Sequence, residues 1–193
     1  MAKPAIACLL ALLITCAPGI TVIRGPQPFA EPATGLQFAA EICGLPKREI
    51  ALYPQKELGL SVHYEDDDMI KATFYVYSAG DDSVGDGAGS PAASSYFLRT
   101  IEEIREMHRR GRYGKARIGE HTRVPIRLGM QRLDALCAFC ELSTGTLDLG
   151  SVVLVTGYRD QLFKVRFTYP KELEGPALDK WECVLRAFAK GGE

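Results

Sequence analysis

Two stretches of strict apolar–polar alternation dominate the chain between residues 59 and 77. In Gly59–Tyr64, Leu60, Val62 and Tyr64 share one face, with Ser61 and His63 on the other. In Ile70–Tyr77, Ile70, Ala72, Phe74 and Val76 point inward. Period-two patterning rich in β-branched and aromatic residues predicts strands. The acidic run Glu65-Asp66-Asp67-Asp68 between them reads as the tip of an antiparallel hairpin. Arg48–Tyr53 is a shorter candidate strand that Pro54 stops. A second strand-rich region follows, at about Val124–Leu142, Ser151–Tyr158 and Gln161–Tyr169. The last two are joined at Tyr158-Arg159-Asp160, too tight for anything but a hairpin. In the final strand Phe163, Val165, Phe167 and Tyr169 alternate with Lys164, Arg166 and Thr168, which predicts one buried face and one wet face.

Helical spacing occurs twice. Phe97, Ile101, Ile104 and His108 form one stripe of a helix capped by Ser94 or Ser95 and ended at Gly111. Trp181, Val184, Leu185 and Phe188 form the stripe of a second helix, opened by Pro176 and ended at Gly191. Ser78–Ala93 is rich in Gly, Asp and Ser and reads as a loop, and Arg112–Arg123 is basic and irregular. The order is hairpin, helix, three-stranded meander, helix. The fold class expected is therefore α+β, an antiparallel sheet with two main helices packed on its apolar face.

The first residues change the picture of where this domain works. Lys3 precedes an apolar run, Ala5–Ile14, that ends in Thr15-Cys16-Ala17-Pro18-Gly19. That is the layout of a secretion signal over residues 1–17. The run is shorter than the roughly 20 apolar residues a membrane span needs; reading on to Arg24 leaves an uncleaved anchor open. Leu13-Ile14-Thr15-Cys16 resembles the lipobox of bacterial lipoproteins, which would place a lipid on Cys16, although Thr15 stands where that family has a small residue such as Gly or Ala. Residues 18–35, with several prolines, read as a tether, and 36–193 as one domain. The expected location is periplasmic or secreted, with membrane contact only through the N-terminus.

Composition narrows the function classes. The chain is 47 % hydrophobic and 9 % aromatic, so it can bury a core. Its net charge is −1, or −2 without Lys3, which points to no nucleic acid partner. The basic group Arg105, Arg109, Arg110, Arg112, Lys115 and Arg117 reads as a solvated helix end and loop. No cofactor fingerprint is present, no Gly-x-Ser-x-Gly elbow accompanies the three histidines, and Asp82, Asp86 and Gly87 match only the start of a calcium loop.

The strand pair LGLSVHYE and IKATFYVYSAG, the later SVVLVTGYRDQLFKVRFTYP and a closing W-x-x-x-L helix resemble a family of exported bacterial proteins to which no activity is assigned. The order of elements is similar to the PsbP-like α/β/α sandwich. These likenesses imply a binding or accessory module of the envelope rather than an enzyme.

Cysteines supply the remaining chemistry. Cys137 and Cys140 form a Cys-x-x-Cys pair, the basis of an alternative reading as a thiol-dependent redox protein. On a strand, however, residues three apart point to opposite faces. With Cys43 and Cys183 they could make two bridges in three connectivities, and a Cys43–Cys183 bridge would tie the start of the domain to its last helix. The working surfaces expected for an envelope protein or small ligand are the Ser78–Ala93 loop and an exposed sheet face carrying Lys164 and Arg166.

Overall fold

The computed structural model describes residues 19–78, 80 and 83–188. The signal segment, with Cys8 and Cys16, lies outside them, as do Asp82 and Gly191. The elements in chain order are β1 (Thr21–Arg24), β2 (Phe29–Ala30), β3 (Gln37–Phe38), β4 (Glu41–Ile42), β5 (Leu45–Leu52), β6 (Leu60–Glu65), β7 (Lys71–Tyr77), α1 (Pro91–Arg109), β8 (Lys115–Ile118), β9 (Thr122–Leu128), β10 (Gln131–Thr144), β11 (Leu147–Tyr158), β12 (Gln161–Pro170), a 3₁₀ turn (Lys171–Leu173) and α2 (Glu174–Ala187).

The ten-stranded antiparallel sheet runs β1-β5-β6-β7-β12-β11-β10-β8, with β4 added to β5 and β9 to β10; β2 and β3 pair separately. The α+β, PsbP-like sandwich expectation is overturned. The molecule is mostly β, 47 % strand against 22 % helix, and its helices do not pack together on one apolar face. They lie on opposite faces of one sheet. Phe163, Val165, Phe167 and Tyr169 of β12 share a core with Phe38, Phe74, Trp181, Val184 and Phe188, under α2. The Phe74 and Phe188 rings meet edge to face at 5.1 Å. On the other face, Phe97, Ile101 and Ile104 of α1 cover Ala138, Cys140, Val153, Val155 and Leu162. α1 carries the chain from β7, near the middle of the sheet, back over that face to β8 at its edge. Strand β11 is consequently buried on both sides from Gly150 to Tyr158.

Several boundaries differ from expectation for local reasons. The single strand foreseen over 124–142 is a hairpin: Leu128 pairs with Gln131, and Gly129 takes φ +56° at the first turn position. Glycine there is what a type II′ turn needs. The basic stretch foreseen as irregular supplies β8, which pairs with β10 at Lys115–Ile118. Residues expected to be a tether pair too: β1 lies along β5 from Thr21↔Leu52 to Arg24↔Glu49. Downstream, buried Glu31 accepts from the Ala33, Thr34 and Thr34 Oγ1 donors. The buried Lys47 ammonium donates to the Gln27 and Phe38 carbonyls, fastening the same segment.

Helix α1 starts earlier than read, because Pro91 presets the first turn and Ser90 Oγ accepts from the Ala93 N–H at 3.4 Å. Gly111 ends it at φ +69°. His108, foreseen on the apolar stripe, is exposed, with Nδ1 2.9 Å from the Tyr113 carbonyl.

Candidate functional site

Lys164 is the centre of the site, and the fold changes its surroundings. In register it stands opposite Tyr75 of β7, on the face that α1 crosses. The face that alternation made wet is therefore roofed at this point. Lys164 forms the floor of a cleft of ≈ 490 Å³ between α1, β7 and the turn that follows β5. Neither Lys164 nor Arg166 is exposed; both are half-buried.

The walls are aromatic. Tyr75 and Tyr77 come from alternate positions of β7, so both point to the same side. Tyr96 comes from the first half of α1, and Tyr53 follows β5. The Lys164 ammonium lies 4.4 Å from the Tyr75 ring centroid and 5.6 Å from that of Tyr77. These are cation–π distances. Tyr77 and Tyr96 meet edge to face at 5.7 Å, bridging strand and helix. Leu58 stands at the mouth, 51 % exposed.

Four charged side chains among the described residues line the cleft, and they are not equally satisfied. Arg99 pairs with Glu103 at 3.6 Å and lies 5.7 Å over the Tyr96 ring. Among the described residues Lys164 has no hydrogen bond and no carboxylate within 4.0 Å, although the Glu103 charge reaches it from farther off. No buried side-chain nitrogen or oxygen among those residues is left without a partner. The Lys164 ammonium therefore keeps some accessible surface, and it lines the cleft with no hydrogen-bond acceptor among the described residues. Burial among the rings holds it below the usual lysine range, and the same burial raises Tyr75 and Tyr77 above the usual tyrosine value.

Arg166 differs from Lys164, two residues away on the same strand. Its Nε donates to Ser151 Oγ at 2.9 Å, and that hydroxyl lies 3.1 Å from Thr168 Oγ1. Arg166 is therefore held against the sheet beside the cleft instead of lining it.

The remaining sequence candidates do not converge. Cys137 is in the core under α2, and Cys140 is in the core under α1. Both thiols are buried, and burial pushes Cys137 up to about 12 and Cys140 upward as well, opposite to what a nucleophilic thiolate needs. Cys43 and Cys183 are joined as a disulfide, with Cα atoms 5.9 Å apart. Of the loop foreseen as a working surface, the part after residue 82 is docked: Val84 and Ala88 are 1 % exposed, and the Gly87 N–H donates to Gly157 O at 2.9 Å. Asp86 accepts from the Arg159 N–H at 2.7 Å. In the basic group, Arg105, Arg109 and Arg110 pair with Glu102 and Glu106, and Lys115 with Glu141.

His63 is the one histidine in a polar relay, with Nδ1 3.1 Å from Thr73 Oγ1 and Nε2 3.0 Å from Glu65 Oε2. Lys71 also pairs with Glu65 at 3.0 Å, so this relay is a closed set on the sheet surface. No group of three His, Cys, Asp or Glu side chains among the described residues is arranged to hold a metal. No helix among them is long and apolar enough to cross a membrane.

What sequence reading missed was the tyrosines. They come from three separate elements, and only the pair Tyr75 and Tyr77, two apart on a strand and facing away from the Phe74 core, carried a local signal. No protein-family model matches the chain and no curated protein matches it in sequence, so the cleft itself is the ground for any statement of function.

Proposed function

We propose that this protein is a non-enzymatic binding module of the bacterial envelope, and that its ligand is a small organic anion held in the tyrosine-lined cleft. One observation carries this reading: an ammonium, stripped of much of its water, lines an open cleft and, among the described residues, has no carboxylate within 4.0 Å, Glu103 acting on it only from farther off. Burying a charge without a partner is costly, and an anionic ligand would offset that cost. The cleft volume also falls within the range typical of small-molecule sites, roughly 300–1,000 Å³. The Cys43–Cys183 bond supports an oxidising compartment, and with it an exported protein. The thiol-redox alternative has less support, because Cys137 and Cys140 occupy separate cores on opposite sheet faces.

The test is a survey by heteronuclear NMR. Isotopically labelled protein is exposed in turn to small organic anions, cations and neutral sugars. Anions alone should shift the backbone amides of Tyr75, Tyr77 and Lys164, and Lys164→Met should abolish the shifts. Shifts at these amides that Lys164→Met leaves unchanged, or a response to cations or sugars instead, would overturn the reading.

A further inference from the structure

The cleft carries enough chemistry to define the ligand more narrowly, on the assumption that it binds an anion at all. We infer that the occupant is an aromatic monocarboxylate, its carboxylate on Lys164 and its ring among Tyr53, Tyr75, Tyr77 and Tyr96.

Three observations support this. The first is charge. Lys164 and Arg99 are balanced in the lining by Glu57 and Glu103, and Arg99 is already engaged by Glu103. Among the described residues one cation is therefore available, against two carboxylates that repel any second negative charge. A monoanion satisfies Lys164; a phosphate dianion would meet no second free cation. Phosphate sites gather several cations or backbone N–H groups aimed at one point, whereas of the two cations in the described lining Arg99 is already paired with Glu103.

The second is size. A space of ≈ 490 Å³ is far more than a bare carboxylate fills, so the anion carries a body. The third is the shape and chemistry of the walls. Tyr77 and Tyr96 already meet edge to face, and with Tyr53 and Tyr75 they line the space between strand and helix. Flat rings gain offset or edge-on contacts of about 0.5–1.5 kcal/mol per pair beyond their buried area. Leu58 at the mouth covers the end of such a body with apolar surface.

The ammonium now rests on the Tyr75 and Tyr77 rings. A carboxylate reaching it would form a charge-assisted hydrogen bond, the stronger for being desolvated. The rings would stay beneath the ammonium, so the ligand adds to the cation–π contact without displacing it.

The experiment uses the full chain and four probes: 4-hydroxybenzoate, phenyl phosphate, benzylamine and acetate, with affinities from calorimetry. We expect 4-hydroxybenzoate to bind at least tenfold more tightly than phenyl phosphate and a hundredfold more tightly than acetate, with no heat from benzylamine. Lys164→Met, which keeps most of the side chain's length without its charge, should weaken 4-hydroxybenzoate at least tenfold. A second measurement needs no variant: reductive methylation of Lys164 in the wild-type protein, read by peptide mass, should be slowed by 4-hydroxybenzoate and not by benzylamine. If phenyl phosphate or acetate binds as tightly and still depends on Lys164, the ligand class is wrong while the anion cleft survives. If no anion binds or protects Lys164, both readings fall.

Discussion

Removing the Cys43–Cys183 bond should destabilise the protein by about 5 kcal/mol, and the effect should act on the unfolded chain. The bond closes a loop of 140 residues. The chain-entropy relation assigns about 4.7 kcal/mol to a loop of 100 residues and slightly more to this one. That is a large part of the roughly 5–15 kcal/mol by which domains are stable. The choice of variant matters, because Cys43 and Gly44 form the two-residue turn between Ile42 and Leu45, with φ of +54° and +75°. Both turn positions are left-handed, the signature of a type I′ turn, for which Asn-Gly is a favoured pair. Cys43→Asn with Cys183→Ala therefore removes the bond and keeps the turn.

Helix α2 has other fastenings. Lys180 pairs with Asp66 at 2.7 Å, and Trp181 packs on Phe167 at 5.5 Å. Its docking should survive, and the native amide spectrum should change only near the two substituted sites. With a urea dependence of roughly 1–3 kcal/mol per M, the midpoint should fall by roughly 2–5 M. Wild-type protein in excess reductant should behave like the variant. A midpoint shift below about 0.5 M would refute the chain-entropy argument. Loss of native α2 signals would refute the claim that the bond acts mainly through the unfolded state.

Cys137 and Cys140 should resist alkylation in the folded protein and react fully once it is unfolded; reaction of either in native buffer, followed by mass, would restore the redox reading. Gly157→Ala should cost about 1–3 kcal/mol or more in a denaturation curve, since its Cβ would stand 1.9 Å from the Gly85 carbonyl oxygen, which belongs to backbone that cannot swing aside; an unchanged midpoint would contradict the docking of that loop on β11. Glu65 is held down to about 2 by its hydrogen bond with His63, and further by Lys71. Its folded pKa lies below the unfolded value, so its stabilisation is full above about 4.5 and is lost as pH falls toward 2. Glu65→Gln should flatten stability against pH in that window relative to wild type, and parallel curves would show that the relay contributes nothing.

Much of the sheet was legible because half-buried strands print their faces directly in the sequence. Strands β6, β7 and β12 alternate without interruption, and the α1 and α2 stripes keep helical spacing at Phe97, Ile101 and Ile104 and at Trp181 and Val184. Strand β8 was not legible, because Lys115 and Arg117 on an exposed edge look like loop. The β9–β10 turn was hidden because apolar residues continue on either side of Gly129 and Met130. The largest error was about the site. Polar residues at alternate positions of β12 meant solvent only if nothing crossed that face, and no local pattern reveals that α1 turns back over it. Lys164 was found as a residue, while its environment was a product of topology.

Strand β11 has a consequence for the unfolded chain. Because both of its faces are covered, Val152-Val153-Leu154-Val155 has no polar position to interrupt it. Such a window, uncharged and β-branched, is the kind that stacks with copies of itself once exposed. In the native sheet β10 and β12 occupy its two edges and the helices its two faces, so every route to self-association is closed at once. Recovery after heating should therefore fall steeply with protein concentration. The chain's hazard to itself resides in the segment that the finished fold protects best.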